Sequence, residues 1–270
     1  MKYSLIKKII LFIFLCFIPI ALSSPHALTE GSQELESMGQ DGIIVLNYHK
    51  IDNMDISLSV RPEDFDKQMA YLKNNNYHII TPDDLYDNLE HGKELPSNPV
   101  VITFDDGYED NYKNAYPILK KYGFPATIFV VSSFVSQYPN YLTWDQCREL
   151  KANGISIQSH TVSHRSLTEL TNEQIKNEIT ESKKKIDAEL GQDTTYFAYP
   201  TGTYNLYVAQ MLKDAGYRAA FTIKYGTAGS SSNIFALERI PVFHTENTYN
   251  SFCKRLNYIP LFEKLGWIKS

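Results

Sequence analysis

The chain has 270 residues and a formal net charge of −5, so it lacks the basic surplus that a nucleic-acid partner calls for. Its cysteines, Cys16, Cys147 and Cys253, are too few for a disulfide framework and lack metal-binding spacing, so Cys147 and Cys253 read as unpaired structural thiols. No linker or repeat interrupts the roughly 230 residues from position 42 onward, a size that suits one α/β domain.

Lys2, Lys7 and Lys8 precede the apolar stretch from Ile9 to Leu22, which Pro19 breaks. That apolar stretch is short for a membrane span, and Ala21-Leu22-Ser23 offers a small-residue cleavage site. Residues 1–23 therefore read as a secretory signal, with an uncleaved, membrane-associating anchor as the alternative. The expected location is outside the cell or in the cell envelope. Residues 24–41 read as a flexible lead-in. Beyond them, β-prone runs at Ile43 to Tyr48, Tyr77 to Ile80, Val100 to Phe104, Ala126 to Val131, Ile155 to Gln158, Tyr196 to Tyr199 and Ala219 to Ile223 alternate with helical stretches. Pro62 to Lys73 and Pro82 to Leu89 carry proline in the first turn. Thr143 to Asn153 begins beside Trp144, a packing residue, and Asn172 to Leu190 follows a capping box at Thr171 and Gln174 and stops at Gly191. Such alternation predicts a parallel sheet, open or closed into a barrel.

Two stretches carry chemistry. Val100 to Phe104 is a continuous hydrophobic run that ends in Asp105, Asp106 and Gly107, at the carboxyl end of a strand where α/β folds place their sites. Adjacent carboxylates there need a cation, an arginine or a shared proton, unless they form a solvated Asp-Asp-Gly turn. Ile155 to Ser159 leads to His160 and His164, a spacing that can aim two imidazoles at one ion from a helical turn or a tight loop.

Thr103-Phe104-Asp105-Asp106-Gly107 followed by His160-Thr161-Val162-Ser163-His164 resembles the polysaccharide deacetylase family, the NodB-like carbohydrate esterases, over about residues 42 to 245. The resemblance implies a NodB homology domain over 42–270, folded as a distorted (β/α) barrel of about seven parallel strands. It also implies that Asp105 is the general base and that Asp106, His160 and His164 hold one divalent metal ion, zinc first, with cobalt, nickel and iron as alternatives. The general acid is His49 or His244; the branch acting on poly-β-1,6-N-acetylglucosamine supplies it from an early Tyr-His motif, which favours His49. In the family's third motif, here Phe197 to Gly202, Ala198 stands where an arginine usually orients the base, leaving Arg239 or Arg165 to substitute. Thr201 supplies an oxyanion-hole backbone N–H. The aspartate and tryptophan of a fourth motif are missing after Ile223. Tyr108, Tyr199 and Tyr204, beside the motifs, are the candidate substrate contacts.

The implied activity is metal-dependent removal of N-acetyl groups from an N-acetylglucosamine polymer of a biofilm matrix. Peptidoglycan or chitin-like oligomers, or O-acetylated polysaccharide, are alternative substrates. A carbohydrate-binding relative without turnover ranks last.

Overall fold

Residues 42–264 are described by a computed structural model, with side chains to residue 260. The signal or anchor, the lead-in and Cys16 lie outside the described residues. In chain order the elements are β1 (Gly42–Tyr48), α1 (Pro62–Asn74), β2 (His78–Ile79), α2 (Pro82–His91), β3 (Pro99–Phe104), α3 (Tyr116–Tyr122), β4 (Ala126–Val130) and α4 (Trp144–Ala152). They continue with β5 (Ile155–Ser159), α5 (Asn172–Leu190), β6 (Tyr196–Ala198), α6 (Leu206–Asp214), β7 (Ala219–Tyr225), β8 (Ala228–Gly229), β9 (Leu237–Pro241) and α7 (Thr248–Lys264).

Local chemistry sets the helix ends. Thr81, Thr143 and Thr171 each accept a hydrogen bond from the backbone N–H three residues on, and Asp84, Gln146 and Gln174 return one. Helix α5 stops where Gly191 turns left-handed. Trp144 is buried at the start of α4, as expected of a packing residue.

Seven parallel strands close on themselves in the order β1, β3, β4, β5, β6, β7, β9. This is the distorted barrel that the sequence motifs implied, but its membership differs from the run of β-prone segments. Tyr77 to Ile80 shrinks to the two-residue β2, which pairs only with β3 and stays outside the ring. Its place is taken by β9, which bridges β7 and β1. Glu238, Arg239 and Pro241 hide β9 from a hydrophobicity pattern. The register between β7 and β9 slips between Phe221 and Tyr225, which accounts for part of the distortion.

Side chains two apart share a strand face. Ile43, Val45 and Asn47 of β1, Val101 and Thr103 of β3, and Leu237 and Arg239 of β9 are all buried, the apolar ones in one cluster with Phe129, Ala198 and Phe221. Of the polar members, Asn47 and Thr103 come last on that face of their strands and Arg239 follows Leu237, so polarity gathers toward the carboxyl end. A larger cluster packs α1, α3, α4 and α7 on the outside. Cys147, buried there, has its thiol pushed up to about 12 by desolvation, and neither Cys147 nor Cys253 is in a disulfide.

Candidate active site

The pairing of β1 with β3 sets Asn47 opposite Thr103 and Tyr48 opposite Phe104, so both strands leave the barrel at one level. The Asp105 N–H continues the ladder by donating to the Tyr48 carbonyl at 2.9 Å. Beyond Asp105 the chain turns through left-handed geometry at Asp106 (φ 73°) and Gly107 (φ 75°). A Cβ on Gly107 would lie 2.9 Å from Val130 Cγ1 and 3.3 Å from Val130 Cα, so the turn takes glycine for space as well as for φ.

The two carboxylates then meet different surroundings. Asp105 is buried and held by a fork: Arg239 Nη1 donates to Oδ1 at 2.8 Å and Nη2 to Oδ2 at 2.7 Å, while Asn47 Nδ2 donates to Oδ2 at 3.0 Å. Arg239 also donates through Nε to the Thr222 carbonyl (2.8 Å) and through Nη1 to Thr103 Oγ1 (3.2 Å). Burial alone would raise the Asp105 pKa, but the Arg239 charge and hydrogen bonds, with His160 and His49, hold it below the ordinary carboxylate value. Of the two arginines proposed to replace the one missing at Ala198, Arg239 makes the contact and Arg165 is exposed.

Asp106 faces two imidazoles. Its Oδ1 lies 3.1 Å from His164 Nε2 and 3.4 Å from His160 Nε2, and one ligand atom from each of the three falls within 4.8 Å of the others. Burial would raise the Asp106 pKa, yet the hydrogen bonds from His160 and His164 carry it far down. For His160 the desolvation is overcome by Asp106 and Asp105, which raise it. His160 Nδ1 lies 2.7 Å from the Ala198 carbonyl, to which it donates, so Nε2 is the nitrogen turned to Asp106 and the one that can ligate once its own proton leaves.

The His160–His164 segment is a tight loop rather than a helical turn, with Thr161 at φ 71° and His164 at φ 60°. Thr161 Oγ1 accepts from the His164 N–H at 2.9 Å. Glu178, buried on α5, accepts from the N–H groups of Val162 (2.8 Å) and Ser163 (2.9 Å). One carboxylate and two imidazoles, preset by outer hydrogen bonds, suit a divalent transition metal.

The other candidates divide. His49 lies within charge range of Asp105, Asp106, Arg239 and His160; its Nδ1 is buried without a protein partner, and burial lowers its pKa against the pull of both carboxylates. Its carbonyl accepts from Asn111 Nδ2 at 2.8 Å, in a π-helical turn over Asn111–Ala115. His244 points elsewhere, with Nε2 3.3 Å from Asp55. Thr201 is exposed in a short turn at φ 57°, and its hydroxyl pairs with Thr203, which reaches Ser166 just past His164. Tyr108 is half-buried, and its pKa is raised by desolvation and by the Asp106 charge beside it. Tyr204 is half-buried and stacks on Tyr199. The expectation for Tyr199 is corrected: it is fully buried and donates its hydroxyl to the Phe235 carbonyl at 2.8 Å, because it follows Phe197 into the cluster packed under α5 and α6.

The polysaccharide deacetylase family profile matches residues 92–220. A Bacillus subtilis (strain 168) protein with the name "Putative polysaccharide deacetylase YxkH" is 39% identical over 198 residues, covering 73% of this chain and 70% of its own. The chain belongs to the polysaccharide deacetylase family. The solved structure of the Streptococcus pyogenes deacetylase PplD in complex with acetate overlays this deacetylase with a TM-score of 0.71 at 30% identity, covering 85% of this chain and 99% of that one. A poly-β-1,6-N-acetyl-D-glucosamine N-deacetylase of Staphylococcus aureus (strain N315) is 24% identical over 287 residues, spanning 94% of this chain and 97% of its own. The deacetylase is thus a hydrolase of carbon–nitrogen bonds other than peptide bonds, with a candidate metal centre at the carboxyl end of its barrel.

Sequence reading missed Asn47 and Glu178, which orient the site residues. The signal for Asn47 was weak but present: a polar side chain in the last inward position of a hydrophobic strand, where burial demands a partner. Glu178 carried none, being one acid among several on an amphipathic helix.

Proposed function

We propose that this deacetylase removes N-acetyl groups from poly-β-1,6-N-acetylglucosamine, leaving free amines, and that it is exported by its N-terminal segment to do so. The observation that carries the reading is the division of labour between adjacent carboxylates, Asp105 in the Arg239 fork and Asp106 against two imidazoles. The near full-length match to the Staphylococcus aureus enzyme supports the choice of polymer. So does the nearness of His49, rather than His244, to the carboxylates.

Asp106, His160 and His164 would hold one divalent ion, zinc by preference. When bound, that ion supplies Lewis-acid polarisation of the acetamide carbonyl and of the attacking water. Asp105 takes the proton from that water. Arg239 keeps it ionised despite its burial, and Arg239 and Asn47 together fix the direction of its lone pairs. The backbone N–H of Thr201 donates to the developing oxyanion. His49 gives a proton to the leaving amine. Burial works against the protonated ring and the two carboxylates for it, so its proton is a labile one, as donation requires.

Acetate release by the purified protein from poly-β-1,6-N-acetylglucosamine oligomers, with and without chelator and added divalent metals, tests the reading. Release that stops on chelation and returns with metal is the expected result. Release only from O-acetylated polysaccharide or peptidoglycan would overturn the choice of polymer, and binding without release from any substrate would overturn the reading as an enzyme.

A further inference from the structure

Beside the Asp106 cluster a cleft of about 530 Å³ opens between the loop after β1, the turn after β3 and the segment leading into α4. Tyr108 belongs to both places: it comes directly after Gly107, feels the charge of Asp106, and lines the cleft. Its ring stacks on Tyr141 with centroids 5.0 Å apart, and Lys50 Nζ lies 4.4 Å from its centre. Backbone bonds tie the two walls together, Glu109 N–H to the Asn140 carbonyl at 2.8 Å and Leu142 N–H to the Gly107 carbonyl at 2.9 Å. Lys50 is in turn held by Asp110 at 2.8 Å and Asp52 at 2.9 Å, and Asp110 accepts the Ile51 N–H at 2.8 Å. The cleft is therefore preformed, with its charged groups already paired.

What it offers a ligand is apolar surface and a charge preference. Met54 and Ile56 on its rim are 52% and 42% exposed, large side chains with no structural reason to face water, and they stand beside the half-buried ring of Tyr141. Three carboxylates, Asp52, Glu109 and Asp110, line it against two ammonium groups, Lys50 and Lys113, both paired with those carboxylates. No cation is left over for an acidic ligand, and the surplus is negative.

We propose that this cleft is the subsite for the sugar unit adjoining the one that loses its acetyl group. Tyr141 is its main contact, and it admits neutral or amino sugars while rejecting sugar acids. The proposal rests on the deacetylase reading above, and it makes the enzyme a reader of chain rather than of single units. A polymer lying from the metal cluster over Tyr108 into the cleft covers the exposed Met54 and Ile56 with the C–H faces of its rings, the type of surface that aromatic and aliphatic side chains take up.

The test is binding of a β-1,6-linked N-acetylglucosamine pentamer by calorimetry to the zinc-loaded Asp105→Asn protein, which cannot turn it over, alone and combined with Tyr141→Ala, Tyr141→Phe or Ile56→Ser. Tyr141→Ala should weaken binding roughly three- to tenfold, Tyr141→Phe should restore it, and Ile56→Ser should weaken it in the same direction. A glucuronic acid oligomer of equal length should not compete. Zinc content and melting temperature identify a variant that has merely lost its fold, and in that case Ile56→Ser, at an exposed position, decides. Pentamer affinity within twofold of the parent in Tyr141→Ala and Ile56→Ser, or effective competition by the sugar acid, would overturn the subsite. Acetate release from the pentamer by the wild-type protein is read separately. Tyr141-dependent binding without release leaves the cleft as a sugar-binding site and removes the proposed deacetylation of this polymer, whereas release with Tyr141-indifferent binding does the reverse.

Discussion

Replacing Arg239 by methionine is the sharpest probe of the site, since it keeps the volume and removes the fork. The change deletes hydrogen bonds of 2.8 and 2.7 Å to Asp105, 2.8 Å to the Thr222 carbonyl and 3.2 Å to Thr103 Oγ1. Asp105 keeps Asn47 Nδ2 as its nearest protein donor and stays almost wholly buried. Removing one partner of a buried ion pair costs about 3 to 5 kcal/mol, because the other charge is left without compensation. In a domain of this size each kcal/mol moves the melting temperature by roughly 2 to 4 °C, so Arg239→Met should melt about 6 to 20 °C lower. Pairing it with Asp105→Leu removes the stranded charge and should return most of the lost stability, while activity stays absent in both. Thermal melts of the four proteins in the cycle, with acetate release alongside, give the answer. An Arg239→Met protein that melts with wild type, or a double variant whose loss equals the sum of the two single losses, would refute the claim that the pair acts as a unit.

Further outcomes are specific to other residues. Asp106→Ala and His164→Ala should lose bound metal and turnover together, whereas Asp105→Asn should keep much of the metal and lose turnover; equal metal stoichiometry in wild type and His164→Ala would remove that histidine from the ligand set. His49→Ala should cut kcat by roughly 10² to 10⁴, the range of general acid–base catalysis, and His244→Ala, whose ring faces Asp55, should leave it within a few-fold. In the metal-free protein the His160 pKa is raised above its ordinary 6.5, mainly by Asp106 and Asp105 against desolvation, and metal must displace that proton. Metal affinity should therefore fall as pH drops through the raised value, and loading near neutral pH should release protons; calorimetry in buffers of different ionisation enthalpy reads this, and a pH-independent affinity between about pH 6 and 8 contradicts it. The same raised pKa makes protonated His160 stabilise the metal-free fold below pH 6.5 and lose that contribution as pH rises through the folded value. Asp105, held low, stabilises above 3.8 and loses its share as pH falls.

Much of this architecture is legible from strand ends. Val100 to Phe104 announces a buried strand by its hydrophobicity and Ile155 to Ser159 a short strand by its alternating isoleucines, and the residues just beyond each strand carry the chemistry, as at the carboxyl ends of α/β barrel strands. The failures have physical causes. Arg239 was named only as one of two candidates beside Arg165, because its contact with Asp105 spans 134 positions and no local pattern chooses between the two. Tyr199 sits in a motif, but a motif does not say which way a side chain turns, and both faces of the strand before it are packed, Ala198 into the barrel and Phe197 with Tyr199 under α5 and α6.

Backbone strain was invisible for a further reason: no residue type announces it. Asp106, Thr161, His164 and Thr201 all adopt left-handed φ values between 57° and 73°, at a cost of order 1 to 3 kcal/mol each. Glycine would relieve that cost at any of these positions, but at Asp106 and His164 it would also delete a donor atom. Where left-handed geometry coincides with a side chain that the chemistry needs, the surrounding structure must over-determine the turn. Glu178 does this for the loop before His164, and the Asp105 N–H bonded to Tyr48 does it for the turn at Asp106. On this argument a Glu178→Gln substitution, far from any reacting atom, should weaken metal binding through His164 before it weakens the fold. Metal affinity unchanged while the melting temperature falls would show that the loop's strain is held elsewhere.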